Sequence, residues 1–274
     1  MRTDTILLPS RLQLEMRGTG LAEENILATA NHRNEDEIQA RVLERCCVRV
    51  LDPGIYAIPE GGRPPWGELL QCDQLVLLIR LRCLSYLDGA EYEIDNIQCP
   101  GCSRPVSWKV DLIKDLPVRA FPDDMIDLLK RKDPVETMIA GRRVKFKIPT
   151  SRDMRLAERL QDEFPERVMA ANLRARLVDV EGVDRREWMD WLDGNNGTSS
   201  KFAGLSSEES EALRDAYDAA DGGIDTDVEI TCQRPACKRR FTIALPFDQG
   251  FLLPNKGIRA RKRARRLGQD SSDG

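Results

Sequence analysis

The sequence predicts an α+β protein in which one plan is used twice and the two copies meet at a shared four-cysteine zinc site. Three observations carry that prediction. Cysteine pairs stand at Cys99-Pro100-Gly101-Cys102 and, 133 residues after the first cysteine, at Cys232-Gln233-Arg234-Pro235-Ala236-Cys237. Each pair follows a helical stretch at the same distance, since Asp73 to Cys99 and Ser206 to Cys232 are both separations of 26 residues. Further upstream, Leu12-Gln13-Leu14-Glu15-Met16 and Val144-Lys145-Phe146-Lys147-Ile148 alternate as strands do, and each runs within a few residues into a charged helix. The expected architecture is a pseudo-twofold internal duplication. Residues 1–115 form the first half, 116–142 a helical connector, 143–255 the second half and 256–274 a basic, disordered tail.

Along the first half, the strand at 12–16 leads to a helix at 21–30 and a second at 35–50 with apolar residues at helical spacing. The loop 52–65 is rich in Gly and Pro and is expected to be mobile, as is 194–204. Residues 75–87 are the most apolar run, yet they are short and contain Arg80 and Arg82. They read as a helix enclosed by protein and not as a membrane span. Residues 92–97 and 106–110 alternate apolar and polar side chains as hairpin arms, with the first cysteine pair on the Pro100-Gly101 turn. The connector carries a helix at 122–132, then Asp133-Pro134 and a further helical turn or two.

In the second half, Thr150 and Asp153 form a capping-box pattern before a helix at 152–160, and another helix is expected at 165–178. Ser206 opens a mostly polar helix with the same capping pattern, which places that helix on the surface. Residues 228–230 and 241–245 are the arms of the second hairpin, whose longer cysteine gap makes a looser knuckle.

Two thiolates a few residues apart on a tight turn supply half of a tetrahedral site, and two such pairs close it, the usual form of a structural zinc. Cys99, Cys102, Cys232 and Cys237 are therefore the expected ligands of one Zn²⁺. Iron, reduced thiols and disulfides are the alternatives that the residues leave open. Cys46, Cys47, Cys72 and Cys83 read as core residues.

No catalytic residue is expected. His32 is the only histidine, it has no nucleophile motif near it, and neither a phosphate-binding loop nor a dinucleotide fingerprint is present. Eight cysteines with no secretory leader suit a reducing cytoplasm. Trp188 and Trp191 share a face of a short helix, either as core or as a docking patch. The net charge is −4, but Lys256, Arg259, Arg261, Lys262, Arg263, Arg265 and Arg266 follow one another with no acid between them. Such a run is a solvated tail or a clamp for an acidic partner or nucleic acid.

The order of short motifs carries a family resemblance. Leu8-Pro9-Ser10 follows a short strand, Glu23-Glu24 open a helix, Cys72-Asp73-Gln74-Leu75 lead into Ile79-Arg80, and Ser85-Tyr86 precede the first cysteine pair. Gly223-Ile224-Asp225, the second pair, Leu245-Pro246-Phe247 and Phe251-Leu252-Leu253-Pro254 close the series. Over residues 5–254 this order resembles the baseplate hub assembly proteins of contractile-tailed bacteriophages, also described as tail assembly chaperones. The resemblance implies a non-enzymatic morphogenesis factor that binds hub or tape-measure proteins in the host bacterial cytoplasm, with the virion baseplate as a second location. The four-residue second gap and the tail beyond Pro254 depart from the pattern. The competing reading is a zinc-ribbon nucleic-acid-binding regulator that uses the basic tail.

Overall fold

Strands β1 (Thr3–Leu7) and β2 (Gln13–Arg17) form an antiparallel hairpin that opens the chain in a computed structural model describing residues 2–29, 35–194, 201–245, 247 and 251–252. Alternation in β2 turns Leu14 and Met16 inward, where both are fully buried. Helices α1 (Leu21–Leu27) and α2 (Glu35–Cys46) follow, and β3 (Cys47–Asp52) returns to the other edge of β2, giving the order β1-β2-β3. After a single 3-10 turn at Trp66–Glu68, α3 (Gln71–Ser85) runs through the middle of the apolar core, with Val76, Leu77, Leu78, Ile79 and Leu81 buried. Strands β4 (Glu91–Gln98) and β5 (Pro105–Asp111) form the first cysteine hairpin.

The chain then passes through β6 (Val118–Arg119) and α4 (Asp123–Arg131) to β7 (Val135–Ile139) and β8 (Arg142–Phe146). Helices α5 (Ser151–Glu163) and α6 (Val168–Arg176) precede β9 (Leu177–Val180), which pairs with β8 to complete an antiparallel sheet of order β7-β8-β9. A second 3-10 turn at Arg185–Glu187 leads into α7 (Trp188–Asp193) and α8 (Ser207–Ala220). Strand β10 (Gly223–Ile224) pairs with β6, and β11 (Asp227–Thr231) with β12 (Arg240–Ala244) makes the second cysteine hairpin.

Four expectations change. Residues 47–50 and 177–178 are strand and not helix, because the chain turns at the end of α2 and α6 and lays Val48, Val50 and Val178 along an open sheet edge. Residues 135–139 are a strand as well. Their side chains alternate, and Ala140 and Gly141 both take positive φ (51° and 71°), the backbone of a two-residue hairpin turn with the strand twist. The connector 116–142 is thus not purely helical, and a boundary at 143 cuts the β7–β8 hairpin. The loop 52–65 is anchored through Tyr56, whose hydroxyl donates to the Asp73 carboxylate at 2.5 Å and accepts from the Leu70 N–H at 2.9 Å. The loop 194–204 lies largely outside the described residues, as does His32.

Two apolar cores form, and each borrows from the other part of the chain. The first contains the inward residues of β1–β3, α2 and α3, together with Val228, Leu245, Phe251 and Leu252. The second contains those of β7–β9 and α6–α8, together with Leu70, Phe121 and Ile126. Val228 of β11 belongs to the same core as Tyr92 and Ile94 of β4 and Val110 of β5, and the two cysteine hairpins meet at their tips. No helix among the described residues is long and apolar enough to cross a membrane.

Candidate metal centre

Both cysteine pairs sit where a hairpin ladder gives way to a knuckle. In the first, the Cys99 N–H donates to the Arg104 carbonyl at 3.1 Å and the Ser103 N–H to the Cys99 carbonyl at 2.8 Å. In the second, the Cys232 N–H donates to the Arg239 carbonyl at 2.9 Å, and the wider loop is gathered by the Arg234 carbonyl, which accepts from Cys237 and Lys238 at 3.0 and 3.1 Å. The four-residue gap is therefore filled by its own hydrogen-bonded turn. The residue after each second cysteine, Ser103 or Lys238, takes a left-handed conformation (φ 52° and 47°), which turns the chain back into the outgoing strand.

The four sulfurs of Cys99, Cys102, Cys232 and Cys237 all lie within 4.8 Å of one another. Across the hairpins, Cys99 Sγ is 3.7 Å from Cys237 Sγ and Cys102 Sγ is 3.9 Å from Cys232 Sγ. A tetrahedron of sulfurs each about 2.3 Å from a central ion has edges of about 3.8 Å, so the residues present fit a tetrathiolate metal site. Cys99 and Cys232 are buried and Cys102 and Cys237 half-buried. Gly101 makes the approach feasible, since a Cβ there would meet Arg239 Cδ at 2.8 Å and Cys237 Sγ at 3.1 Å.

The electrostatics favour a cation. Burial works to raise the Cys99 thiol, but the N–H groups of Gly101 and Cys102 and the neighbouring thiols of Cys237 and Cys102 outweigh it and hold it down at about 7. At Cys232 the Arg234 N–H pulls the other way, and burial with the Cys99, Cys237 and Cys102 groups pushes the thiol up to about 11. One sulfur ionises readily and the next resists, which is how clustered thiols behave until a positive ion is placed among them.

The other proposed sites separate cleanly. Trp188 and Trp191 are each 3% exposed in the second core, and the Trp188 indole N–H donates to the Val183 carbonyl at 3.2 Å, so they are core and not a docking patch. Lys256, Arg259, Arg261, Lys262, Arg263, Arg265 and Arg266 lie outside the described residues. Cys46 and Cys47 are buried at the α2–β3 junction, while Cys72 and Cys83 are half-buried on α3. Sequence reasoning missed the burial of Arg82. Its guanidinium lies 4.9 Å from the Tyr92 ring centre and 5.3 Å from that of Phe251, and it donates to the Phe251 carbonyl. The only signal was a charge inside an otherwise apolar helix. Compared with family models, curated proteins and solved structures, the chain matches none.

Proposed function

We propose that the protein is a non-enzymatic assembly factor of a contractile phage tail, whose two internally duplicated halves are clipped by one structural zinc ion. The observation that carries the zinc reading is the meeting of four thiols from hairpins more than 100 residues apart at tetrahedral spacing. Four protein sulfurs fill the coordination shell and leave no position for substrate, which is the arrangement of a mechanical site. When bound, zinc supplies a permanent cross-link, and Cys99, Cys102, Cys232 and Cys237 would hold it.

The duplication rests on correspondences at one interval, 130 residues. Leu14 faces Val50 as Val144 faces Val180, and Met16 faces Cys47 as Phe146 faces Leu177, with Val48 and Val178 passed over by the same bulge. The Gly20 N–H is capped by Glu23 at 2.9 Å and the Thr150 N–H by Asp153 at 3.0 Å. Arg17 pairs with Glu23 at 3.0 Å, and Lys147 with Asp153 at 2.6 Å. A bulge, a cap and an ion pair to a buried carboxylate, repeated at one spacing, are what two copies of one ancestral half retain when residue identities have drifted.

The assembly role is supported by the motif order from Leu8-Pro9-Ser10 to Phe251-Leu252, and it places the protein in the host bacterial cytoplasm during assembly. Its clients are hub or tape-measure proteins. The test is coexpression of the tagged chain with the hub and tape-measure proteins of the same particle, followed by copurification and metal analysis. Stoichiometric zinc together with retention of one tail component is the expected result. Retention of neither component would reject the assembly role, and a metal-free protein would reject the zinc clip.

A further inference from the structure

The two knuckle tips carry cations and no acids. Residues 98–108 and 231–243 contain Arg104, Arg234, Lys238, Arg239 and Arg240 and not one Asp or Glu, in a chain whose net charge is −4. On the arms, charge is balanced: Arg240 faces Glu229 at 3.7 Å and Lys109 faces Glu91 at 3.9 Å. Beyond those pairs, Arg104, Arg234, Lys238 and Arg239 are exposed, and among the described residues none of the four forms an ion pair. Each lies within two residues of a ligand cysteine, and the Arg239 stem crosses over Gly101 of the opposite knuckle. The converging sulfurs thus gather cations from both hairpins onto one tip.

Four thiolates around a divalent ion carry two net negative charges, which account for part of this set. Four cations exceed that requirement. We propose that the joined knuckle tips are a docking surface for an acidic segment of a partner protein, a short run of Asp and Glu side chains. The proposal rests on the zinc reading, because the cations come from two hairpins and form one surface only while the sulfurs share an ion. Three of the four are arginines, whose planar fork matches a carboxylate in two parallel hydrogen bonds. Exposed Asp95 and Asp227 lie on the arms, four and five residues before the first cysteine of their knuckles. A nucleic-acid backbone laid across the surface would run over those carboxylates, whereas a compact acidic segment meets the tip alone.

The experiment uses the zinc-loaded full chain, a short fluorescent oligoglutamate peptide and a DNA duplex of equal charge. Metal content of the parent is measured first. The peptide should bind more tightly than the duplex, weaken with added salt, and lose about tenfold in affinity with Arg234→Glu/Lys238→Glu, a double charge reversal at the rim of an interface. Arg104→Glu, on the other hairpin, should weaken binding in the same direction. Both variants should keep the metal. Unchanged peptide affinity in the variants would overturn the docking surface and assign binding to the tail. Tighter binding of the duplex, or a variant that loses metal instead of peptide, would overturn it as well. A parent without metal would overturn the zinc reading itself, while a metal-loaded parent whose variants bind the peptide as it does overturns the docking surface alone.

Discussion

Glu23 shows how much one side chain can organise at the residue scale. It is 2% exposed, caps the Gly20 N–H and receives Arg17 and Arg45 at 3.0 and 2.9 Å. Hydrogen bonding from Arg17 holds its carboxyl down from an ordinary 4.5 to about 2 against the effect of burial, with the Gly20 N–H and Arg45 adding to the pull. A folded-state value below the unfolded one stabilises the protein above about pH 4.5, and that contribution is lost as the pH falls toward 2. Glu23→Gln should therefore cost about 1–2 kcal/mol near neutrality. Denaturant melts of parent and variant should converge as the pH approaches 2. At the candidate metal centre, Cys99→Ser removes the thiol that its neighbours hold down at about 7. Its expected outcome is sub-stoichiometric zinc by elemental analysis and a lowered melting temperature, since binding free energy at such a site is also folding free energy. The two cysteine pairs were legible from their spacing, but their meeting in one cluster was not. The roles of Gly101 and of Ser103 and Lys238 were not, because a close approach and a left-handed backbone are properties of the folded knuckle.

Among elements, the segment at 251–252 has an influence out of proportion to its length. Phe251 is 2% exposed, stacks edge-on with Tyr92 at 5.2 Å and with Phe247 at 4.8 Å, and its carbonyl is held by Arg82. The Tyr86 hydroxyl donates to the Leu252 carbonyl at 2.9 Å. These contacts tie residues 251–252, which follow the second cysteine hairpin in the chain, to α3, Tyr86 and β4. Truncating a buried phenylalanine of this kind costs about 3–5 kcal/mol. Phe251→Ala should show that loss in chemical denaturation, and limited proteolysis should cleave first near residues 245–252. Sequence patterning read α3 and α8 well, the first as buried and the second as a surface helix that turns only Leu213, Tyr217 and Ala220 inward. It misread 47–50, 135–139 and 177–178 as helical. Short stretches with few apolar residues satisfy either period, and only pairing with a neighbouring strand decides between them.

For the whole molecule, the four-cysteine cluster and the borrowed core residues are two separate contacts between the same parts. The hairpins β4–β5 and β11–β12 share sulfurs at their tips and packing at their bases. The two three-stranded sheets lie in cores that do not include the cysteine ligands. Chelation should therefore act locally. Hydrogen exchange in β4, β5, β11 and β12 should accelerate on zinc removal, while β1–β3 and β7–β9 keep their protection and the melting temperature falls without loss of the fold. Uniform loss of protection across all sheets would mean that the clip is needed for folding itself.

The sequence by itself determined the mixed α and β composition, the two cysteine hairpins, the capping boxes at Thr150 and Ser206, and the apolar character of α3. All of these depend on neighbours a few residues away, through turn chemistry, side-chain periodicity and local hydrogen bonding. Tertiary structure alone decided that four sulfurs stand within 4.8 Å, that Arg82 and Glu23 are buried, and that Trp188 and Trp191 face a core. Those outcomes require contacts between residues far apart in the chain, and burial is settled only when both partners have been brought together.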